Sequence, residues 1–209
     1  MAANQVGIET VCIYHGLADK ESIASHPFYD HIYVYASEEK TYFEDISPNS
    51  NVCLYPLKEL STLEKKVIIF FTRLDIHMSE KTISEILTLF LKKDYQIFLK
   101  KHPTYTGSLA SKIASKYNLE MITLEKDASE SILHLRPSFS IGWGSTALCE
   151  SLRHGVIPIS LDDLDTDFSW AIYPFKKRTL SWKDEKERIF ELLEDTSLYT
   201  KTLSELRVR

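Results

Sequence analysis

The chain has 209 residues, of which 44% are hydrophobic and 11% aromatic, so it can bury the core of one full domain with an appendage or of two small domains. Its 25 lysine and arginine residues stand against 30 acidic residues, a formal net charge of -5, which excludes a global field that attracts nucleic acid or an anionic membrane. An anionic ligand must therefore be held locally, by backbone amides and one or two side chains.

The three cysteines, Cys12, Cys53 and Cys149, are too few and too scattered for a disulfide framework. None belongs to a CxxC pair, and no Cys/His cluster has zinc spacing, so we expect buried free thiols. The amino terminus lacks a basic and then apolar signal peptide, and the longest apolar runs, such as 67–71, have the length of a strand. The sequence therefore predicts a cytosolic protein.

Short apolar runs alternate with helical stretches, and this rhythm predicts an α/β domain with a largely parallel sheet. In the first part of the chain we expect a short helix over 38–45 and strands at 10–14, 31–35 and 52–55. A polar connector between Pro56 and Lys66 is the best candidate for a subdomain boundary.

The pattern is sharper after Lys66. It predicts strands at 67–71, 95–99, 120–124, 139–141 and 156–161. It predicts helices over 108–117, 129–135, 147–154 and 183–194, the last of which finishes the domain. A further helix begins after the capping residue Ser79, and its apolar face is formed by Ile83, Ile86, Leu87, Phe90 and Leu91.

The strongest local motif lies between a predicted strand and a helix and reads Gly142-Trp143-Gly144-Ser145-Thr146. Glycines let the backbone approach a ligand closely, and the first amides of a helix attract an anion together with the helix dipole. The Ser145 and Thr146 hydroxyls can add hydrogen bonds, so the motif predicts a phosphate site. The alternative is a tight turn in which Ser145 is a plain N-cap. The spacing matches neither a Walker lysine loop nor the three-glycine dinucleotide fingerprint.

A second motif, His102-Pro103, follows the predicted strand at 95–99, at the sheet edge where open α/β sheets bind ligands. The proline fixes the turn, so the histidine faces outward. An imidazolium beside Lys100 and Lys101 can neutralise or protonate a phosphate leaving group. The alternative is a loop histidine on a basic turn.

His15-Gly16 also follows a predicted strand, and its histidine is a candidate general base toward an acceptor hydroxyl; the alternative is a capping histidine. Glu150 lies about one helical turn beyond Ser145, where a carboxylate can accept hydrogen bonds from two ribose hydroxyls, or can be a solvated helix residue. The acidic run at 162–167 has the composition of a magnesium site, but we interpret it as a solvated loop and predict no metal.

The order of these motifs, ending in Gly-Trp-Gly-Ser-Thr-Ala-Leu-Cys-Glu-Ser-Leu, resembles bacterial GT-B transferases of surface polymers. The most similar groups are the sialyl- and polysialyltransferases of capsule and lipooligosaccharide, the teichoic-acid CDP-glycerol glycerophosphotransferases, and capsule transferases. The resemblance covers about residues 8–195. It implies a Rossmann-like nucleotide-binding domain with a parallel sheet over 61–209 and a remnant of the acceptor domain over 1–60.

In such families the histidine of His-Pro and the hydroxyls of the Ser/Thr turn hold the donor phosphate, which implies this role for His102, Ser145 and Thr146. With them we place Lys101, Pro103, Gly142, Gly144 and Glu150 in the predicted nucleotide site. The resemblance implies that His15 acts as a base. It also implies no catalytic metal and no cofactor, because the CMP-, UDP- or CDP-linked donor is itself the substrate.

The function expected from the resemblance is transfer of a sugar or sugar-like group, with sialic acid among the candidates, from a nucleotide-activated donor to a bacterial surface glycan. The expected location is the cytoplasm, with peripheral association at the inner face of the membrane. A GT-B enzyme has two such domains, so we expect the acceptor half to be largely missing upstream of Val6, either because the chain is a truncated product or because a separate polypeptide supplies that half. Two alternatives stay open: a UDP-sugar 2-epimerase, and a non-catalytic nucleotide-sugar binding module.

Overall fold

The structure is a computed structural model, and it describes residues 7–13, 29–56, 60–72, 78–122, 125–162, 171–195 and 197–208. Within these residues the strands form two sheets, and every strand pair is parallel. No helix of the described segments is long and apolar enough to cross a membrane.

The smaller sheet has the strand order β1-β2-β3 and consists of β1 (Val11–Ile13), β2 (His31–Val34) and β3 (Asn51–Leu54). Helix α1 (Ser37–Ile46) connects β2 to β3 and covers one face of this sheet. Phe43 of α1 is buried against Ile32, Val34 and Val52 of the strands. The alternation of buried and less buried residues along β2 is that of a strand with one covered face.

The larger sheet has the strand order β6-β5-β4-β7-β8-β9. Its strands are β4 (Glu64–Phe71), β5 (Gln96–Lys101), β6 (Glu120–Ile122), β7 (Pro137–Gly142), β8 (Ile157–Ser160) and β9 (Leu180–Ser181). Counted from β4, this is the 3-2-1-4-5-6 order of doubly wound dinucleotide-binding folds. The strand order reverses between β4 and β7, which places the expected ligand crevice at the carboxyl ends of these strands.

Helices cover both faces of the larger sheet. They are α2 (Glu80–Lys92), α3 (Leu109–Tyr117), α4 (Ala128–Leu135), α5 (Thr146–Arg153), α6 (Phe175–Arg178), α7 (Lys186–Glu194) and α8 (Ser197–Val208). The uninterrupted apolar run of β4 fits a strand that is buried on both faces, and Val67 to Ile69 are fully buried. The Ser79 hydroxyl caps α2 by accepting a hydrogen bond from the Thr82 backbone N–H.

The predicted α/β architecture with parallel sheets is confirmed, but the end of the chain differs from the prediction. Residues 183–194 do not finish the domain, because α8 follows α7 and its Leu206 is fully buried in the core. Strand β9 was not predicted, since two residues carry no periodicity. Leu91 was assigned to the apolar face of α2 and is instead 40% exposed, because Ile83, Ile86, Leu87 and Phe90 already fill the buried stripe.

A buried carboxylate fixes the start of α1. The Glu39 side chain is 1% exposed and accepts hydrogen bonds from the backbone N–H groups of Tyr35 (2.8 Å) and Ala36 (3.0 Å). Burial raises the pKa of Glu39 to about 7, although these two bonds and the Arg178 guanidinium oppose the shift. The folded protein therefore holds this proton more tightly than the unfolded chain does.

We expect the free energy of unfolding to fall as pH rises from the ordinary glutamate value of 4.5 to about 7, because the folded state binds more protons than the unfolded state in this window. Glu39→Gln removes this titration. The free energy of unfolding of the variant, measured relative to wild type, should therefore rise by up to about 3 kcal/mol between pH 5 and pH 8. Urea denaturation at the two pH values measures the difference.

Glu38→Gln is the matched control. Burial raises the pKa of Glu38, but hydrogen bonds from its own backbone and from Arg178 outweigh it and lower the pKa below 4.5. Both folded and unfolded Glu38 are then ionised above pH 5, so this substitution removes no titration of its own there. Its effect should be close to constant from pH 5 to pH 8, changed only by the loss of the small repulsion that Glu38 exerts on Glu39. An equally constant effect for Glu39→Gln would contradict the prediction.

Candidate functional site

A cleft of about 260 Å³ opens at the carboxyl ends of β4, β5 and β7, where the strand order reverses. It is bordered by the loop after β5, by the turn between β7 and α5, and by the segment that leads into α4. The residues that line it include Thr72, Lys100, Lys101, His102, Pro103, Asp127, Ala128, Ser145, Thr146, Ala147 and Glu150. The structure thus brings the two predicted motifs, His-Pro and the glycine turn, to one cavity.

His102 follows β5 directly, and its loop is held by main-chain hydrogen bonds. Its backbone N–H donates to the Phe71 carbonyl (2.8 Å), and its carbonyl accepts from Tyr105 (2.9 Å). The Thr104 backbone N–H donates to Nδ1 of the exposed imidazole at 3.2 Å. A backbone N–H can only donate, so a neutral ring carries its proton on Nε2. Nδ1 also lies 2.8 Å from the Thr104 hydroxyl, so Thr104 fixes the orientation of the ring, and the imidazolium expected from the sequence stays a prediction.

The turn between β7 and α5 has one glycine that the backbone requires. Gly144 has φ +50°, in the left-handed region that disfavours other residues. A Cβ on Gly142 would make only ordinary contacts, at 3.5 Å from Leu148 and 3.6 Å from Phe70. The backbone conformation therefore requires a glycine at 144, and no such requirement is evident at 142; close approach of the two glycines to a ligand stays a prediction.

The start of α5 is positioned for a ligand of negative charge. The Ser145 hydroxyl caps the helix by accepting from the Ala147 N–H at 3.2 Å, as in the alternative interpretation of the motif. A plain N-cap and an anion site are compatible, since the Thr146 N–H has no partner within the helix. Helix α4 also begins at the cleft, but there the Asp127 carboxylate caps the helix by accepting from Glu130 N–H at 2.7 Å. The α5 end is therefore the one whose dipole favours an external anion.

A buried aspartate fixes the glycine turn. Asp162 is 1% exposed, and its Oδ2 accepts from the Gly144 N–H at 2.9 Å and from the Ser160 hydroxyl at 2.5 Å. The interpretation of 162–167 as a solvated loop is therefore wrong for Asp162; residues 163–167 lie outside the described residues. A charge count cannot reveal such a role, because it depends on β8 lying beside β7.

Glu150 is 6% exposed and lines the cleft, so it is not a solvated helix residue. The Ser129 hydroxyl donates to its Oε2 at 3.2 Å and lies 3.0 Å from His154 Nε2. Because one hydroxyl carries one proton, a proton on His154 Nε2 satisfies both contacts, with the imidazole donating to Ser129 and Ser129 donating to Glu150. This chain of contacts holds the Glu150 carboxylate between α4 and α5.

The cleft also contains a lysine that the sequence analysis did not place in the site. Lys100 is 5% exposed, and its Nζ donates to the Lys126 carbonyl. Burial lowers its pKa, and Asp127 and Glu130 oppose that shift. The predicted neighbour Lys101 instead directs Nζ to the Ser111 hydroxyl (2.8 Å) and the Tyr105 ring. Adjacent strand residues point to opposite faces, so the two lysines have different surroundings.

The structure does not test the remaining predictions. His15 and Gly16 lie outside the described residues, so the predicted general base stays a prediction. Among the described residues, no group of three or more His, Cys, Asp or Glu side chains is arranged to hold a metal ion. The binding roles of His102, Ser145, Thr146 and Glu150 likewise stay predictions, although the structure places all four at the cleft.

No protein-family model matches the chain, and no curated protein matches its sequence. Solved structures do match. A putative UDP-N-acetylglucosamine 2-epimerase from Listeria monocytogenes aligns with TM-score 0.59 and 10% identity over 99% of this chain and 65% of that one. The wall teichoic acid polymerase TagF, from a crystal soaked with CDPG, aligns with TM-score 0.50 and 13% identity over 85% of this chain and 50% of the polymerase.

These similarities confirm the predicted Rossmann-like fold of the GT-B type and carry no information on substrate at such low identity. The chain spans about two thirds of the length of the epimerase and one half of the length of the polymerase. A GtfA/B complex aligns more weakly, with TM-score 0.43 and 10% identity over 97% of this chain and 54% of that one.

Asp162→Ala tests how the glycine turn is held. The substitution leaves the Gly144 N–H and the Ser160 hydroxyl without their acceptor, so the free energy of unfolding should fall by about 1–3 kcal/mol. Chemical denaturation measures this loss. Asp45→Ala, at an exposed position of α1, is the control and should change the stability by less than about 0.5 kcal/mol. Equal effects of the two substitutions would show that Asp162 does not fix the turn.

Proposed function

We propose that this chain is the donor-binding half of a GT-B glycosyltransferase, which moves a sugar or sugar-like group from a nucleotide-activated donor to a bacterial surface glycan. The observation that carries the proposal is the meeting of the His-Pro loop and the glycine turn at one cleft, at the switch point of a 3-2-1-4-5-6 sheet. Sialic acid remains one candidate for the transferred group.

The donor phosphate would lie against the start of α5. Hydrogen bonds would come from the Thr146 N–H and from the Ser145 and Thr146 hydroxyls. The buried Lys100 ammonium would add positive charge. His102 would donate from Nε2 to the same phosphate, given that Nδ1 accepts from Thr104. As the bond from the sugar carbon to the phosphate oxygen breaks, these fixed groups stabilise the negative charge that develops on that oxygen.

The acceptor hydroxyl would attack the sugar carbon as the nucleotide leaves and give its proton to a base, for which His15 is our proposal from the sequence. Glu150 would accept hydrogen bonds from the ribose hydroxyls, with Ser129 keeping its carboxylate oriented. We propose that the reaction needs no metal ion, because Lys100 and the helix end supply positive charge, and His102 a hydrogen-bond donor, where a metal would otherwise act.

We further propose that residues 1–60 belong to the acceptor side of the enzyme and that a further protein domain packs against them. The smaller sheet keeps apolar side chains exposed within the described residues: Val11 by 53%, Ile13 by 51% and Leu54 by 50%. The location that we propose for the complete enzyme is the cytoplasm, with peripheral association at the inner face of the cell membrane.

A thermal-shift panel of CMP, CDP, UDP and GDP tests the donor site. A nucleotide at about ten times its Kd stabilises the folded state by roughly 1.4 kcal/mol. For a chain of this length we expect that to raise Tm by about 3–6 °C. One base should give the largest shift, and His102→Ala should weaken its binding by about tenfold, since a charge-assisted hydrogen bond to phosphate is lost.

His134→Ala is the matched control, because His134 is exposed on α4 and does not line the cleft. It should bind the nucleotide as wild type does. No shift with any nucleotide, or an equal shift in His102→Ala, would contradict the donor-site proposal. Conversion of a UDP-sugar to a free or epimerised sugar without an acceptor would replace the transferase with the 2-epimerase alternative.

A further inference from the structure

A second cavity, of about 330 Å³, borders the last turn of α5 and shares no lining residue with the donor cleft. It lies where the ends of β2 and β3 approach α5. We call it the arginine–tyrosine cavity; the residues that define it are Tyr35, Tyr55, Arg153, Tyr173, Arg178 and Arg207. None of the sequence motifs or the roles proposed above uses these side chains.

Arg153 is a buried charge that lies against two tyrosine rings. It is 8% exposed, and its guanidinium lies 3.6 Å from the Tyr55 ring centroid and 5.2 Å from that of Tyr35. It donates to the Pro56 carbonyl at 3.3 Å, while Nε has no hydrogen-bond partner. No carboxylate of the described residues forms an ion pair with it. A buried guanidinium in this state is costly unless an anion joins it.

The other two guanidinium groups add to the positive charge. Arg178 is 7% exposed, pairs with Glu38 at 3.1 Å, and has an Nε with no partner. Arg207 donates to the Leu152 carbonyl at 3.2 Å. No carboxylate is among the lining residues of the described segments, so the charged groups that border the cavity directly are guanidinium groups.

Two buried carboxylates of the described residues lie near the cavity without lining it, and hydrogen bonds fix their positions. Glu39 accepts from the Tyr35 and Ala36 backbone N–H groups, and Glu150 accepts from Ser129. Burial raises the pKa of Tyr35, with Glu150 contributing, so its phenol stays protonated and able to donate.

We propose that the arginine–tyrosine cavity binds a small oxyanion-bearing ligand of sugar size, a phosphorylated or carboxylated sugar. The planar fork of arginine matches the two oxygens of a carboxylate or phosphate. Tyrosine rings give flat apolar walls with hydroxyls at their edges, which suit a sugar ring. The volume lies at the lower end of the range for small-molecule sites. This site is separate from the donor cleft and does not depend on the transferase proposal.

Isothermal titration of the full chain with glucose 1-phosphate, glucuronate, inorganic phosphate and neutral glucose tests the site. We expect the charged sugars to bind and glucose not to bind. The charged sugar that binds more tightly shows whether the site prefers a phosphate or a carboxylate. Inorganic phosphate should bind more weakly than glucose 1-phosphate. Arg153→Met keeps the length of the side chain and removes its charge, and it should raise Kd by about tenfold or more.

Arg153→Lys and Arg178→Lys keep the charge and lose the planar fork, so each should raise Kd by a smaller factor. These two variants test the site if Arg153→Met does not fold. His102→Ala should leave the affinity for the charged sugars unchanged, and a saturating nucleotide should not displace them. The apo form of Arg153→Met should melt at or above the wild-type Tm, since it loses an unpaired buried charge.

Absence of binding by both charged sugars would overturn the proposal, as would an unchanged Kd in the arginine variants. Loss of binding in His102→Ala, or competition by nucleotide, would overturn it too, by assigning the anion to the donor cleft. A several-degree fall in the Tm of Arg153→Met with unchanged affinity would identify Arg153 as a packing residue. None of these results changes the expected nucleotide shifts, so the two proposals fail separately.

Discussion

The carboxylate of Asp162 joins two neighbouring strands at the edge of the sheet that faces the cleft. It receives the Gly144 N–H beyond the end of β7 and the Ser160 hydroxyl at the end of β8. Glycine adopts φ near +50° without strain but also adopts other conformations, and this bond favours the observed one. Together with the packing of α5, the contact helps to fix the position of Ser145.

The cleft shows how a protein with a net charge of -5 can attract an anion. The α5 terminus carries a hydroxyl cap instead of a carboxylate, so its partial positive charge remains available. Lys100 adds a cation that burial keeps from being screened by water. Acidic residues do lie close by, but Asp127 is occupied in capping α4 and Glu150 is held by Ser129. An anion in this cleft would therefore be held by local groups and not by the overall charge of the chain.

Sequence periodicity predicted the elements that bury a continuous stripe, such as β4 and α2, because hydrophobic spacing is a local property. The glycine turn and the His-Pro loop were also predicted, since turn residues next to strands have local signatures. Lys100 and Asp162 were missed as site residues because their roles depend on strand pairing and burial. From the sequence, Lys101 is as good a candidate for the site as Lys100. The two differ only in the face of β5 on which each side chain lies. Helix α8 was missed because its apolar residues contact β8, which no local pattern reveals.

Helix α5 links the two cavities, and its two ends have opposite electrostatic character. The amino end favours an anion directly, whereas the carboxyl end favours the cation Arg153 in its last turn. A helix dipole is equivalent to only about half a charge at each end, so it offsets part of the cost of burying that guanidinium and leaves the rest. From Ser145 to Arg153 the helix rises by roughly 12 Å at 1.5 Å per residue, so the two sites lie near enough to share one rigid element. Every residue from Ala147 to Arg153 is buried, so tilting α5 to improve one end would disturb the packing of the other.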